Sequence, residues 1–242
     1  MPVCFNRCSQ MSSSTDNPEL GPRRVFLLSP ANIAGIRARF VMREDADFEM
    51  AVRLRQRGVS LGELFSFISG LYFRGKWAYA RTFCDVPSNI HGALVITSNG
   101  GLVSPDAVIT LERLQEISLG NLDPTDRRYR RLLERDAKSL ARICGKSCQI
   151  VLLGSIATPK YVEPLLTIFG EQLMFPAEFV GRGDMSRGGL MLRCVESGEQ
   201  LTYVPVLGAV RHGPKPPKLK PLRRKRLSVL SDTASLEAPN AH

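Results

Sequence analysis

The chain has 242 residues, 43% of them hydrophobic, and a formal net charge of +10. That length suits one large domain or two small ones, with enough apolar material for a core. No apolar run approaches the roughly 18–20 residues of a membrane helix. Met1 to Asn17 carries no apolar stretch before a small-residue cleavage site, so no secretory signal is read there and the chain is expected to be soluble and cytoplasmic, with no membrane partner.

Charge is uneven along the chain. Between His212 and His242 lie seven basic residues and two acidic ones, which puts half of the net charge in that stretch. The organisation read from composition is a disordered leader over 1–22, an α/β domain over 23–211 and a basic, disordered tail over 212–242. A basic domain with a more basic tail points to a polyanion as partner.

Within the domain, apolar and amphipathic runs alternate. Val25-Phe26-Leu27-Leu28 is short, wholly apolar and ends at Ser29-Pro30, as a buried strand does. Helical material follows over Phe48 to Gln56 and Leu61 to Cys84, with a break near Gly70 or Gly75. A second buried strand, Ala93-Leu94-Val95-Ile96, ends at Thr97-Ser98-Asn99-Gly100-Gly101. The clearest helix spans Pro124 to Cys144, with Asp123 as N-cap and Tyr129, Leu133, Ala137 and Leu140 on one face. A third strand, Ile150-Val151-Leu152-Leu153, ends at Gly154-Ser155 and leads to a helix opened by Thr158-Pro159 and closed by Gly170. Leu173 to Phe175 is a short strand. Leu190 to Val195 and Leu201 to Val206, either side of Ser197-Gly198-Glu199, read as an antiparallel hairpin. The fold class is therefore α/β: a single domain with a mainly parallel central sheet, helices on both faces and a C-terminal β-hairpin.

In such sheets ligands bind beyond the carboxyl ends of the strands. Those ends supply Ser29, Pro30, Asn32, Ser98, Asn99, Gly100, Gly154 and Ser155, small polar residues with free backbone amides. Tyr72 and Lys76 join them as candidate ligand contacts from an aromatic and basic stretch, although the favoured reading of that stretch is an amphipathic helix burying Trp77 and Phe73. The segment Glu178 to Gly189 packs four glycines, Arg182 and Arg187, Glu178 and Asp184, and Ser186 into twelve residues. Glycines permit close backbone approach and paired arginines clamp a phosphate or carboxylate, so this segment reads as a ligand-facing loop with Arg182, Gly183, Ser186 and Arg187 as contacts.

Several chemistries are disfavoured. No Walker motif and no G-x-G-x-x-G follows a strand, so no nucleotide cofactor is expected. Histidine is limited to His91, His212 and His242, which leaves no place for a Ser-His-Asp triad; an acid/base would be Glu178, Asp184 or Lys76. Cys4/Cys8 and Cys144/Cys148 each enclose three residues, a spacing open to zinc, but ordinary reduced thiols are the reading and no metal is expected.

Taken in order, these segments resemble the bacterial peroxide-stress YaaA-like family. The matching residues are Leu28-Ser29-Pro30-Ala31, Tyr72-Phe73-Arg74-Gly75, Asn99-Gly100-Gly101-Leu102-Val103-Ser104-Pro105-Asp106, Gly154-Ser155 with Tyr161, and Gly181-Arg182-Gly183-Asp184-Met185-Ser186-Arg187. The family's Pro-Tyr-Arg-Leu element is replaced here by Ile109-Thr110-Leu111-Glu112, and the stretch between Ile33 and Gly70 is short for its helix-hairpin-helix. The resemblance implies nucleic-acid binding in a positive cleft and brings no established reaction.

Two functions follow as expectations. The first is nucleic-acid binding, in DNA-damage or oxidative-stress protection, with Arg182 and Arg187 on phosphates. The second is an enzyme acting on a nucleotide, nucleoside or modified base, with Glu178 or Asp184 as general acid/base or nucleophile. The expected ligand in either case is nucleic acid or a nucleotide-like anion.

Overall fold

The computed structural model describes residues 22–86 and 90–219. The leader up to residue 21, with Cys4 and Cys8, and the tail from residue 220 onward lie outside the described residues. Chain order is β1 (Arg24–Leu28), α1 (Ile36–Met42), α2 (Glu49–Gln56), β2 (Val59–Ser60), α3 (Leu61–Ser69), α4 (Leu71–Phe83) and β3 (Ala93–Thr97). Then come β4 (Gly101–Val103), β5 (Val108–Ile109), α5 (Leu111–Leu119), α6 (Arg127–Cys144), β6 (Gln149–Leu153) and α7 (Pro159–Phe169). The chain closes with β7 (Leu173–Pro176), α8 (Asp184–Ser197) and β8 (Tyr203–Pro205).

One six-stranded sheet has the order β4-β3-β1-β6-β7-β8. The four inner strands are parallel, and the outer strands β4 and β8 are antiparallel to β3 and β7. Residues 25–28 and 150–153 are buried on both faces, which is why they read as unbroken apolar runs. The right-handed rule for parallel crossovers expects the helices between β1 and β3 on one face and α6 and α7 on the other. Accordingly α4 packs against α8, and α6 against α7. Among the described residues, no helix is long and apolar enough to cross a membrane.

The expected fold class holds, with local corrections. Residues 190–195 are helical, inside α8, and the C-terminal antiparallel pair is β7 with β8, registered Met174↔Pro205 and Phe175↔Val204. A short apolar run has no period that separates strand from helix; here Gly188, Met191 and Cys194, three residues apart, are the buried face of a helix. The long helix starts at Arg127 instead of Pro124, because Asp126 accepts from the backbone N–H of Arg128 and Tyr129, whereas Asp123 holds only the preceding turn at Thr125. The break between α3 and α4 falls at Gly70, whose φ of 60° and ψ of −126° suit glycine alone. Helix α1 and the small β2–β5 sheet carry no signal read from the sequence.

Candidate functional site

β1 and β6 are neighbours, yet the chain leaves β1 toward β3 on one side and leaves β6 toward β7 on the other. This is the topological switch point, where the connections diverge and a crevice opens beyond the strand ends. A cavity of about 390 Å³ lies there. Its walls come from the β1 end (Ser29, Pro30, Ala31, Asn32), the α3–α4 corner (Ser69, Tyr72), Leu122, the α7 entry (Ser155, Thr158, Lys160, Tyr161) and the first residue of α8, Asp184. A larger hollow of about 640 Å³ sits at the amino ends of the strands, but its charged members, Lys146 and Glu171, are exposed. Of the two, the switch-point cavity has a buried charge beneath it.

That charge is Lys76. On α4 the buried face runs Tyr72, Lys76, Tyr79, Ala80, Phe83, a helical stripe in which one member is a lysine. Lys76 is 0% exposed. Its Nζ donates to the Ser29 carbonyl at 2.5 Å and to Ser29 Oγ at 2.9 Å, and lies 4.3 Å from the centre of the Tyr72 ring. Burial pulls the amine down to about 7; Asp184 works against that shift and Arg187 adds to it. Ser29, 6% exposed on the cavity wall, in turn donates to the Leu153 carbonyl of β6 at 3.3 Å. The Tyr72 hydroxyl is buried and makes no hydrogen bond. Burial raises its pKa, while Arg187 opposes that rise and Asp184 reinforces it. Burial likewise pushes Tyr161 up to about 12.

Two helices open on this cavity. Neither Thr158 at the start of α7 nor Gly183 at the start of α8 makes a side-chain cap, so both ends retain N–H groups and the positive end of a helix dipole. α8 reaches the site through glycine. A Cβ on Gly188 would stand 2.6 Å from the Leu71 carbonyl, and one on Gly75 would stand 2.7 Å from the Gly188 carbonyl. The two backbones therefore touch, which sets Asp184 and Arg187 beside Tyr72 and Lys76. Gly154 has a related role: a Cβ there would press on Ser29 at 3.0 Å.

Of the residues singled out in the sequence, Ser29, Pro30, Asn32, Tyr72, Ser155 and Asp184 line this cavity, and Lys76 lies beneath it. The others do not line it. Ser98 and Asn99 donate to the Ile117 and Glu116 carbonyls at the end of α5, and the Gly100 amide donates to Thr97. Gly154 stands behind Ser29. The segment from Glu178 to Gly189 is a turn followed by helix instead of a loop. Glu178 accepts from the Thr202 amide at 2.9 Å and joins the entry to β8. Arg182 donates to the Glu178 and Pro217 carbonyls and to Ser186. Arg187 is spent mainly on the Phe179 carbonyl, with Asp184 at 3.8 Å. Gly183 is the α8 N-cap.

Ser69, Leu122, Thr158, Lys160 and Tyr161 were not singled out as site residues. A signal existed for three of them: a strand end at Gly154-Ser155 followed by proline at the first helical position marks a helix N-terminus at the strand-end face. Among the described residues, no group of three or more histidine, cysteine or acidic side chains gathers in a metal-binding arrangement. Cys144 and Cys148 are buried free thiols whose mutual hydrogen bond holds Cys144 high and Cys148 low. Compared with protein-family models, curated proteins and solved structures, the chain matches none.

Proposed function

We propose that the chain is an enzyme acting on a nucleotide-like anion held in the switch-point cavity, with Asp184 as the carboxylate that moves the proton. The observation that carries this reading is the buried Lys76 amine under a polar cleft of small-ligand size, with Asp184 at its wall. A buried ionisable group with a displaced pKa beside a concave site is a candidate for chemistry. Asp184 sits at a helix N-terminus, where its charge is favoured, and its side chain is open to a ligand at 69% exposure.

Turnover of a panel of nucleoside monophosphates and nucleosides tests this. Asp184→Asn is expected to abolish turnover of whichever member reacts while changing its affinity by less than a few-fold. A panel that neither binds nor reacts overturns the reading, as does an Asp184→Asn variant with full activity.

A second reading, binding to nucleic acid itself, draws on helix α6. Its first turn carries Arg127 and Arg128 and no acid. Cations at the positive end of a helix cost stability, so their presence there favours a role on an anionic partner. Tyr129 of the same turn donates to the carbonyl of Lys160, a residue of the cavity wall, at 2.9 Å, so the start of α6 adjoins the start of α7. This reading agrees with the resemblance to the YaaA-like family, although Arg182 and Arg187 are now internal ties and the phosphate contacts pass to α6 and Lys160.

A further inference from the structure

Lys76 lacks something a buried ammonium group needs. Among the described residues it takes part in no ion pair, and Asp184 is paired instead with Arg187 at 3.8 Å. A cation removed from water without a counter-ion is costly, and the two hydrogen bonds it donates to Ser29, with the ring faces of Tyr72 and Phe73, offset only part of that cost. Close by is a second unmet need: the Tyr72 hydroxyl, 7% exposed as a residue, has no acceptor or donor although Ser29 and Arg187 are near enough to act on it. Two uncapped helix starts face the same space. A cation without a partner, an idle hydroxyl and two sets of open N–H groups share one complement, a compact oxyanion with several acceptor oxygens.

We propose that the floor of the cavity, formed by Ser29 over Lys76, by Tyr72 and by the first turns of α7 and α8, binds the phosphate group of the ligand, with Lys76 as its buried counter-ion. This rests on the reading of the cavity as the ligand site and adds which end of the ligand points inward. The groups facing Lys76 are Ser29 from β1, Tyr72 and Phe73 from its own helix, and Asp184 and Arg187 from α8. Of these, only an anion arriving at Ser29 changes the charge around the amine. The bound state therefore favours the protonated lysine, and binding above its pKa draws a proton from solvent.

Calorimetric titration of the full chain with inorganic sulfate and inorganic phosphate, each in buffers of different ionisation enthalpy, reads both affinity and proton uptake. Sulfate has no proton of its own to exchange in this range, so uptake measured with it belongs to the protein. At a pH above the Lys76 value, the unaltered chain is expected to bind both ions with net proton uptake. Lys76→Met should bind at least tenfold more weakly and take up no proton, and Tyr72→Phe should also bind more weakly while keeping the uptake. Circular dichroism of each variant checks the fold, and Ser29→Ala, which leaves the amine in place, gives an independent weakening if a variant misfolds. Absent binding in the unaltered chain, or equal affinity and uptake in Lys76→Met, overturns the phosphate site. Asp184→Asn separates the two proposals: it should keep sulfate binding while losing turnover, so either can fail without the other.

Discussion

A lysine with no exposure and an amine near pH 7 has a consequence for stability that needs no ligand. In the unfolded chain the same group titrates near 10.5, so between about 7 and 10.5 the unfolded state holds a proton that the folded state has released. Folding is then favoured increasingly as pH rises through that window, by at most about 1.4 kcal/mol per pH unit, and the penalty for the buried charge is fully present below it. Denaturant unfolding of the unaltered chain should show stability rising across this range, and Lys76→Met should lose that component of the slope and be the more stable variant near neutral pH. Equal slopes in the two proteins would mean that water reaches the amine. Lys76 also marks where sequence reading stopped. Tyr72, Lys76 and Tyr79 were visible as an aromatic and basic cluster, but a lysine in a buried stripe is the exception to the rule by which such stripes are recognised. Only the partners, Ser29 above all, explain why it is inside.

At the level of elements, α4 and α8 make the closest helix contact that bears on the site. Gly188 meets the backbone of Leu71 and Tyr72 so closely that a methyl group cannot be placed without moving one helix. Gly188→Ala is expected to cost roughly 2–3 kcal/mol through overpacking, although alanine is the better helix former. It should also shift the first turn of α8 away from the cavity floor, so sulfate affinity falls together with the midpoint of thermal unfolding. A Cβ on Gly189, one residue on, would meet Leu219 at an ordinary contact distance of 3.6 Å, and the same substitution there should be nearly neutral. This contact explains which part of the site was legible. Strand ends were readable because burial on both faces leaves unbroken apolar runs, such as 25–28 and 150–153, closed by small polar residues. The four glycines between 178 and 189 read from the sequence as allowing close backbone approach to a ligand in a loop. Two of them serve other ends: Gly181, with φ of 71°, turns the chain ahead of α8, and Gly188 lets that helix dock. Composition alone does not separate glycine that admits a ligand from glycine that admits a neighbouring helix.

Across the whole molecule, charge and topology set two further expectations. The start of the basic tail is laid along the entry to α8, where Arg182 donates to the Pro217 carbonyl and Gly213 sits against Val180. Lys215 and Lys218 are thereby carried on the same side of the domain as Asp184. If the chain engages nucleic acid, each phosphate it neutralises releases counter-ions, so removing residues 220–242, with Lys220 and the four basic residues at 223–226, should flatten the salt dependence of single-stranded oligonucleotide binding. Sulfate binding in the cavity should not change, since the cavity walls are already complete in residues 29 to 184. The sheet order carries the last consequence. β1 is made first but stands in the middle, and Ser29 waits for Leu153, 124 residues later, before its hydroxyl has an acceptor. A ribosome must complete α8 before Asp184 and Arg187 can close over Tyr72. The growing chain therefore carries β1 with an open flank for most of its synthesis, a sticky apolar edge that invites chaperone capture. The pocket forms only once α8 has been made, so no nascent chain that stops before α8 should bind sulfate.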